Sequence, residues 1–228
     1  LQVVKKKRRL FNLKPIVIYG AGGFAREVAM LIEQINSRQS TWNILGFIDD
    51  NQDNTGKIIN GYKILGGNQW LKDKEVNVVL GIGSPKIKEN IIKKLLKYKK
   101  LLFPNIIHPD VHLHHTNRIG EGNVICEGNI LTCNIELEDF VTINLNSTIG
   151  HDVIIKSYST ILPNSSISGN VKFERSVDFG TNATIIQGKT IGESTIIGAG
   201  ATVIHDLPAH CTAVGSPAKP IKYHNVRR

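Results

Sequence analysis

The second half of the chain repeats every six residues. Stepping by six from Ile107 through Leu113, Ile119 and Ile125 to Ile197 and Val203 meets 17 positions without a polar residue. At 41% hydrophobic composition such a run arises by chance about once in 10⁶. Four residues after each position, from Val141 to Ala201, stands a small or β-branched residue, and Lys189 is the exception. A large aliphatic pointing inward, a small residue beyond it, and Gly, Asn or Asp between them suit short flat strands joined by tight turns whose residues tolerate positive φ. Three hexapeptides make one 18-residue coil, so residues 18 apart stack at the inter-strand spacing of roughly 4.8 Å. The pattern predicts a parallel β-helix prism of five to six coils over residues 105–222.

Residues 15–104 follow other periods. Pro15-Ile16-Val17-Ile18-Tyr19 is a short apolar strand, Gly20 to Ala25 a glycine turn, and Glu27 to Asn36 a helix with Val28, Leu31, Ile32 and Ile35 on one face. Ile44 to Ile48 gives a second strand ending in Asp49-Asp50, and Val76 to Gly81 a third. Pro85 to Lys100 reads as an amphipathic helix with Ile87, Ile91, Leu95 and Leu96 facing inward. Alternating strands and helices predict an α/β unit on a small parallel sheet. Gly20-x-Gly22-x-x-Ala25 fits the fingerprint that lets a backbone approach phosphate at a helix N-terminus, with Asp49 or Asp50 placed for a ribose or base. There is room for one such half, so one nucleotide is the economical ligand. A glycine turn that only packs helix on strand is the alternative.

Composition narrows the class. With 21% charged residues and 21 Gly in 228 residues, collagen-like, coiled-coil and disordered chains are excluded. No apolar run reaches the roughly 20 residues of a membrane-spanning helix. After Lys5 to Arg9, the stretch Leu10-Phe11-Asn12-Leu13-Lys14 reads as too short and too polar for a signal-peptide core. A cytoplasmic protein is expected. Cys126, Cys133 and Cys211 form no CxxC pair and read as buried small hydrophobes. The net charge of +9 gathers in a basic arm (residues 1–14), the lysines of 86–100 and a tail (223–228), and reads as solvated charge. No zinc-finger, RNP or aromatic-basic pattern points to nucleic acid.

Ile149-Gly150-His151-Asp152-Val153, Ile197-Gly198-Ala199-Gly200-Ala201 and Val214-Gly215-Ser216-Pro217-Ala218-Lys219 resemble the hexapeptide-repeat acyltransferases. Preceded by Ile18-Tyr19-Gly20-Ala21-Gly22-Gly23-Phe24-Ala25-Arg26-Glu27-Val28 and Gly46-Phe47-Ile48-Asp49-Asp50-Asn51, the chain resembles one subfamily of them. That subfamily is the sialic acid O-acetyltransferase and nucleotide-amino-sugar N-acetyltransferase group. The resemblance implies a left-handed prism and a homotrimer with active sites between subunits, although the right-handed crossover rule would predict the other hand. Several members carry His where this chain has Phe24, and that His contacts the nucleotide sugar.

Acetyl transfer needs a base near the attacking atom and a donor for the carbonyl oxygen as charge builds. His151, at a corner of its hexapeptide, is the best base available, and the resemblance gives the matching His that role. Asp152 would orient the imidazole if the corner bends the two together, since successive strand residues point to opposite faces. Otherwise it bonds its own backbone. Gly169, 18 residues on, would offer its backbone N–H to the acetyl carbonyl, as the resemblance implies. Asn144 resembles the subfamily asparagine near the acceptor amine. Gln187, Gly188 and Lys189 would border the pantetheine, and Lys219 a coenzyme A phosphate. His108, His112, His114 and His115 precede the regular prism and lack Cys or Glu partners at ligand spacing, so no metal is expected. A carbonic-anhydrase-like zinc site needs three histidines, and His151 stands alone between residues 116 and 204.

The expected activity is acetyl-CoA-dependent N-acetylation of a nucleotide-linked 4-amino-dideoxy sugar for surface glycan synthesis, by direct transfer, with Gly22, Gly23, Phe24, Asp49, Asp50 and Asn144 on the acceptor. O-acetylation of a sialic acid is the alternative within the class. A non-catalytic sugar-nucleotide scaffold and a nucleic-acid-binding trimer are the alternatives outside it.

Overall fold

The computed structural model describes residues 13–224; the basic run Lys5 to Arg9 and Arg227-Arg228 lie outside them. The first sheet has the order β3-β4-β2-β1-β5-β6, from β1 (Lys14–Tyr19), β2 (Trp42–Ile48), β3 (Ile58–Ile59), β4 (Tyr62–Gly66), β5 (Val76–Leu80) and β6 (Leu101–Leu102). All pairings are parallel except the β3–β4 hairpin. β1 is central, and its Ile16, Val17 and Ile18 are wholly buried. The hairpin and β6 escaped the sequence pattern because each contributes two to five residues without a clear period.

Helix α1 runs Gly23–Arg38 and buries Ala25, Val28, Ala29, Leu31 and Ile32. Helix α2 is shorter than its pattern, Pro85–Leu95, and its face is rotated. Ile91 and Leu95 are buried as expected, but Ile87 and Leu96 are 50% and 59% exposed, and Lys88 is buried in their place. The reason is a second neighbour: α2 lies against the prism as well as its own sheet.

The prism begins at β7 (Ile106–Ile107), and from Arg118–Ile119 to Thr202–Val203 a two-residue strand recurs every six residues. The strands form three parallel sheets in which each residue pairs with one 18 away, such as Ile130 with Thr148 and Thr148 with Ser166. The second residue of each strand points inward: Ile125 and every sixth residue after it to Val203 are buried. Leu113 departs from the expected series. It is 39% exposed and outside any strand, because residues 109–117 form a loop instead of a full coil. Cys211–Val214 and Lys219–Tyr223 close the far end as an antiparallel pair.

The turns explain the spacing. Every sixth residue from Gly122 to Gly200 has φ between +54° and +77°, the left-handed region that Gly, Asn and Asp enter at least cost. Phe140 (φ 58°) and Tyr158 (φ 66°) also hold it. Their rings stack with centroids 5.6 Å apart, Phe103 meets Phe140 edge-on, and Arg175 lies over Tyr158. These aromatics pack with the first domain's core, and that burial offsets the backbone cost.

Polar contacts complete the docking of α2. The Lys88 ammonium donates to the carbonyls of Phe140 (2.9 Å) and Ser159 (3.1 Å) and to the Thr142 hydroxyl (3.0 Å). Burial pushes its pKa down to about 7, opposed by the charge of Asp178. Glu89 accepts from Arg175 and Ser176 of the prism, both at 3.1 Å, and pairs with Lys93 at 2.7 Å.

Candidate active site

His151 and Asp152 occupy the corner after the strand Thr148–Ile149. Asp152 has φ 58°, so the chain folds back there and the two side chains meet instead of diverging. His151 Nδ1 lies 2.7 Å from Asp152 Oδ2. A carboxylate only accepts, so Nδ1 carries the hydrogen and donates. Nε2 is then the bare, basic nitrogen. The other carboxylate oxygen, Oδ1, accepts from Asn134 Nδ2 at 3.1 Å. These donors, His151 first, hold the Asp152 carboxyl below the usual range.

Gly169 stands directly against that imidazole. A Cβ built on it would lie 2.5 Å from His151 Cε1, 2.9 Å from Cδ2 and nearer still to Nε2. Its φ lies outside the left-handed region, so contact with the ring, not backbone conformation, demands glycine. Among the described residues, no backbone or side-chain acceptor takes the Gly169 N–H, while its carbonyl accepts from Gly188 at 3.0 Å. An unused donor therefore sits one coil from a basic nitrogen. That cradle fits a thioester: its carbonyl oxygen would take the amide and its carbon would face Nε2.

Gln187 and Gly188 continue the same corner one coil further and are exposed. Lys189 takes the position at which Val153 and Val171 are buried in earlier coils, yet it is half-buried. Lys219 is exposed at the start of the last strand. Asn144 is not beside His151. It lies at the other end of the same strand, at the preceding corner, where its Oδ1 accepts from the Leu145 amide at 2.8 Å. Cys133 corrects the expectation of three buried thiols. Cys126 and Cys211 are buried, but Cys133 is half-buried on the corner one coil before His151. With His112, Leu113, His114, Leu131 and Thr132 it lines an open groove of about 550 Å³. His112, His114 and His115 are exposed; His114 Nδ1 meets Thr116 Oγ1 at 2.9 Å.

In the first domain the glycines divide. Gly20 (φ 110°) is structural, since a Cβ there would lie 2.8 Å from Ile82 Cδ1 and 2.9 Å from the Gly81 carbonyl. Gly22 meets nothing within 4 Å, and Gly23 only the tip of Arg26. Packing requires neither, and both border the uncapped N-terminus of α1, which holds no acidic residue. Open amides at a helix start form a phosphate cradle. Phe24 is half-buried against the α1 side of the core. Asp50 accepts from the Tyr19 hydroxyl (2.9 Å) and the Asn68 amide (3.0 Å). Asp49 accepts from the Asn51 amide (3.0 Å) and Asn54 Nδ2 (2.8 Å). Both carboxylates are thus engaged in fixing the loops that follow β2 and β4. The Tyr19 partnership was invisible in sequence, 31 residues apart.

Residues 15–95 match the family described as the PglD N-terminal domain. The chain is similar to the acetyltransferase domain of PglB from Neisseria gonorrhoeae FA1090, solved in complex with acetyl coenzyme A (27% identity, 92% of this chain and 100% of that one, TM-score 0.84). A His-to-Asn mutant of perosamine N-acetyltransferase from Caulobacter crescentus, in complex with CoA and GDP-perosamine, matches at 26% identity over 91% of this chain and 97% of that one (TM-score 0.82). Among curated proteins, a Schizosaccharomyces pombe protein named as an acetyltransferase is 35% identical over 36% of this chain and 42% of its own length. The 2,3,4,5-tetrahydropyridine-2,6-dicarboxylate N-acetyltransferase of Enterococcus faecalis is 44% identical over 23% and 22%. The chain thus spans about two fifths of the first curated relative and about a fifth of the second. Residues 15–95 thus match a PglD-type N-terminal domain, the prism is of the left-handed β-helix kind, and the whole chain is similar to these solved acetyltransferases.

Proposed function

We propose that the protein transfers acetyl from acetyl-CoA to the amine of a nucleotide-linked 4-amino-dideoxy sugar. The observation that carries this is the bare Nε2 of His151 packed against Gly169, whose amide is free among the described residues. The acceptor amine attacks the thioester carbonyl, and Nε2 takes the proton that the nitrogen sheds. The oxyanion forms at the Gly169 N–H. Its collapse expels the coenzyme A sulfur, which the imidazolium reprotonates, leaving amide and free thiol. Asp152 holds the Nδ1–H tautomer and stabilises the transient imidazolium. Gln187, Gly188, Lys189 and Lys219 would border coenzyme A. Gly22, Gly23 and Phe24, with Asp49 and Asp50, would hold the nucleotide. Direct transfer is favoured because, among the described residues, no serine or cysteine stands hydrogen-bonded to His151 as an activated nucleophile.

A homotrimer is part of this reading, and the surfaces support it. One prism face is covered by the first domain, and the second carries Arg118, Glu136 and Lys172 at outward strand positions. The third presents Ile130, Thr148, Ser166, Thr184 and Thr202, without a charge. Asn144 and His151 flank that face at opposite edges, so packing it against further copies would bring one chain's Asn144 toward a neighbour's His151. The product would enter surface polysaccharide synthesis from the cytoplasm. The solved relatives named as N-acetyltransferases favour an amine over a sialic acid hydroxyl.

The test is incubation with acetyl-CoA and UDP-, dTDP-, GDP- and CMP-linked sugars, amino and hydroxyl, reading one added acetyl by mass spectrometry with His151→Ala in parallel. An acetylated amino sugar that disappears in the variant is the expected result. Acetylation of CMP-sialic acid alone replaces N- with O-transfer, and silence without coenzyme A binding points to a scaffold.

A further inference from the structure

We infer that Asn134 is a positioning residue, one coil before the base, that sets the tautomer of His151 through Asp152. The inference rests on His151 acting as the base. The Asn134 amide nitrogen Nδ2 donates to Asp152 Oδ1 at 3.1 Å, and Asp152 Oδ2 accepts from His151 Nδ1 at 2.7 Å. Asn134 is itself fixed from the coil before, where Thr116 Oγ1 accepts its backbone N–H at 2.9 Å. The side chains of Asn134, Asp152 and His151 form a line across two levels of one corner, with Thr116 on a third, ending at the nitrogen that faces Gly169.

The need for such a brace follows from exposure. The side chains of His151 and Asp152 are 49% and 44% exposed. A solvent-exposed pair of this kind contributes little by itself, because water competes and two free side chains must be ordered to make it. A carboxylate held at one oxygen only can swing about its terminal torsion and release Nδ1. Held at both oxygens, it cannot. With Nδ1 kept as donor, Nε2 keeps its lone pair toward the reacting centre; without it, the hydrogen is free to move to Nε2 and block the base.

Asparagine at this turn would need no function, since Asn134 has φ 57° and asparagine tolerates that region. The other asparagines at equivalent turns are the comparison. Asn146, Asn164, Asn170 and Asn182 share the conformation, and among the described residues none of them donates a side-chain hydrogen bond to a carboxylate. Only the corner below the base has the brace.

Asn134→Gly separates the two roles, because glycine accepts the positive φ and lacks the amide. Asn134→Ser, a residue that other turns of this prism carry, is a second variant. The experiment records ¹⁵N-detected histidine ring spectra of the full chain, with the His151 signals assigned by their absence in His151→Ala, together with kcat, both KM values and melting temperature. The expected result for Asn134→Gly is conversion of Nε2 from a bare to a partly protonated signal. With it come a kcat fall of about tenfold, KM values within twofold, and the same spectral change in Asp152→Asn. An unchanged tautomer overturns the inference, whether or not kcat falls. A changed tautomer with His151→Ala fully active would keep the brace and remove His151 as the base, so the two failures are distinguishable.

Discussion

Gly169→Ala is the sharpest test of the corner, because it adds one methyl at a known distance from the His151 ring. That carbon would stand 2.5 Å from His151 Cε1, where ordinary contacts begin near 3.4 Å. The ring therefore has to withdraw by about 1 Å. The prism has no reason to move instead, since Gly169 sits between backbone bonds from Ser168 to Ile185 and from Asn170 to His151. His151 is half-exposed, so the ring has solvent on the side to which it would be pushed. Alanine brings no backbone strain at this φ. A displacement of about 1 Å at a reacting group costs on the order of 10²-fold in rate. The expectation is a kcat fall of about 100-fold, a KM for acetyl-CoA within threefold, and a melting temperature within about 2 °C of wild type. A thiol-release assay and a thermal melt measure these, with Ser168→Ala, an exposed neighbour, as control. A Gly169→Ala enzyme within threefold of wild-type kcat would refute the proposed proximity of base and carbonyl, as would a loss confined to KM.

Removing the proposed base, His151→Ala, should lower kcat by about 10²- to 10⁴-fold without a change in coenzyme A affinity by calorimetry. Lys88→Met leaves three buried oxygens of the prism without their donor, at about 1–3 kcal/mol for such a group, and should lower the melting temperature by several degrees. Because burial pushes Lys88 down to about 7 in the fold while the unfolded lysine titrates near 10.4, the unfolded state binds more protons between those values. Wild-type stability should therefore rise from pH 7 to 10 relative to Lys88→Met, and urea melts showing the opposite slope would contradict it. Glu89 has the other sign: burial raises its pKa, but donors from Lys93, Arg175 and Ser176 outweigh that and hold it below 4.5. Glu89→Gln should be less stable at pH 7, and the gap should close as pH falls through the folded value, again by urea melts. Phe140→Asn relieves a left-handed aromatic yet should lose about 2–4 kcal/mol, because removing a core phenyl costs about 3–5 and the relief returns about 1.

The sequence alone determined the prism, because each coil repeats the same local demand. An aliphatic every sixth residue fills the interior, a Gly, Asn or Asp at most corners permits the left-handed turn, and partners always lie 18 residues away. His151 and Gly169 were legible for the same reason, since counting by 18 places one above the other. Tertiary structure decided what the count could not reach. It bent Asp152 back onto His151 through a positive φ, set Asn134 behind it, and put Asn144 at the opposite edge of the face. It also turned α2 so that Lys88, read as one of several solvated lysines, became the buried link to Phe140, Thr142 and Ser159. Those contacts join residues 52 to 71 apart, and no local period records them. A buried lysine is tolerable only where three acceptors converge on its ammonium, and that convergence exists only once helix and prism are docked.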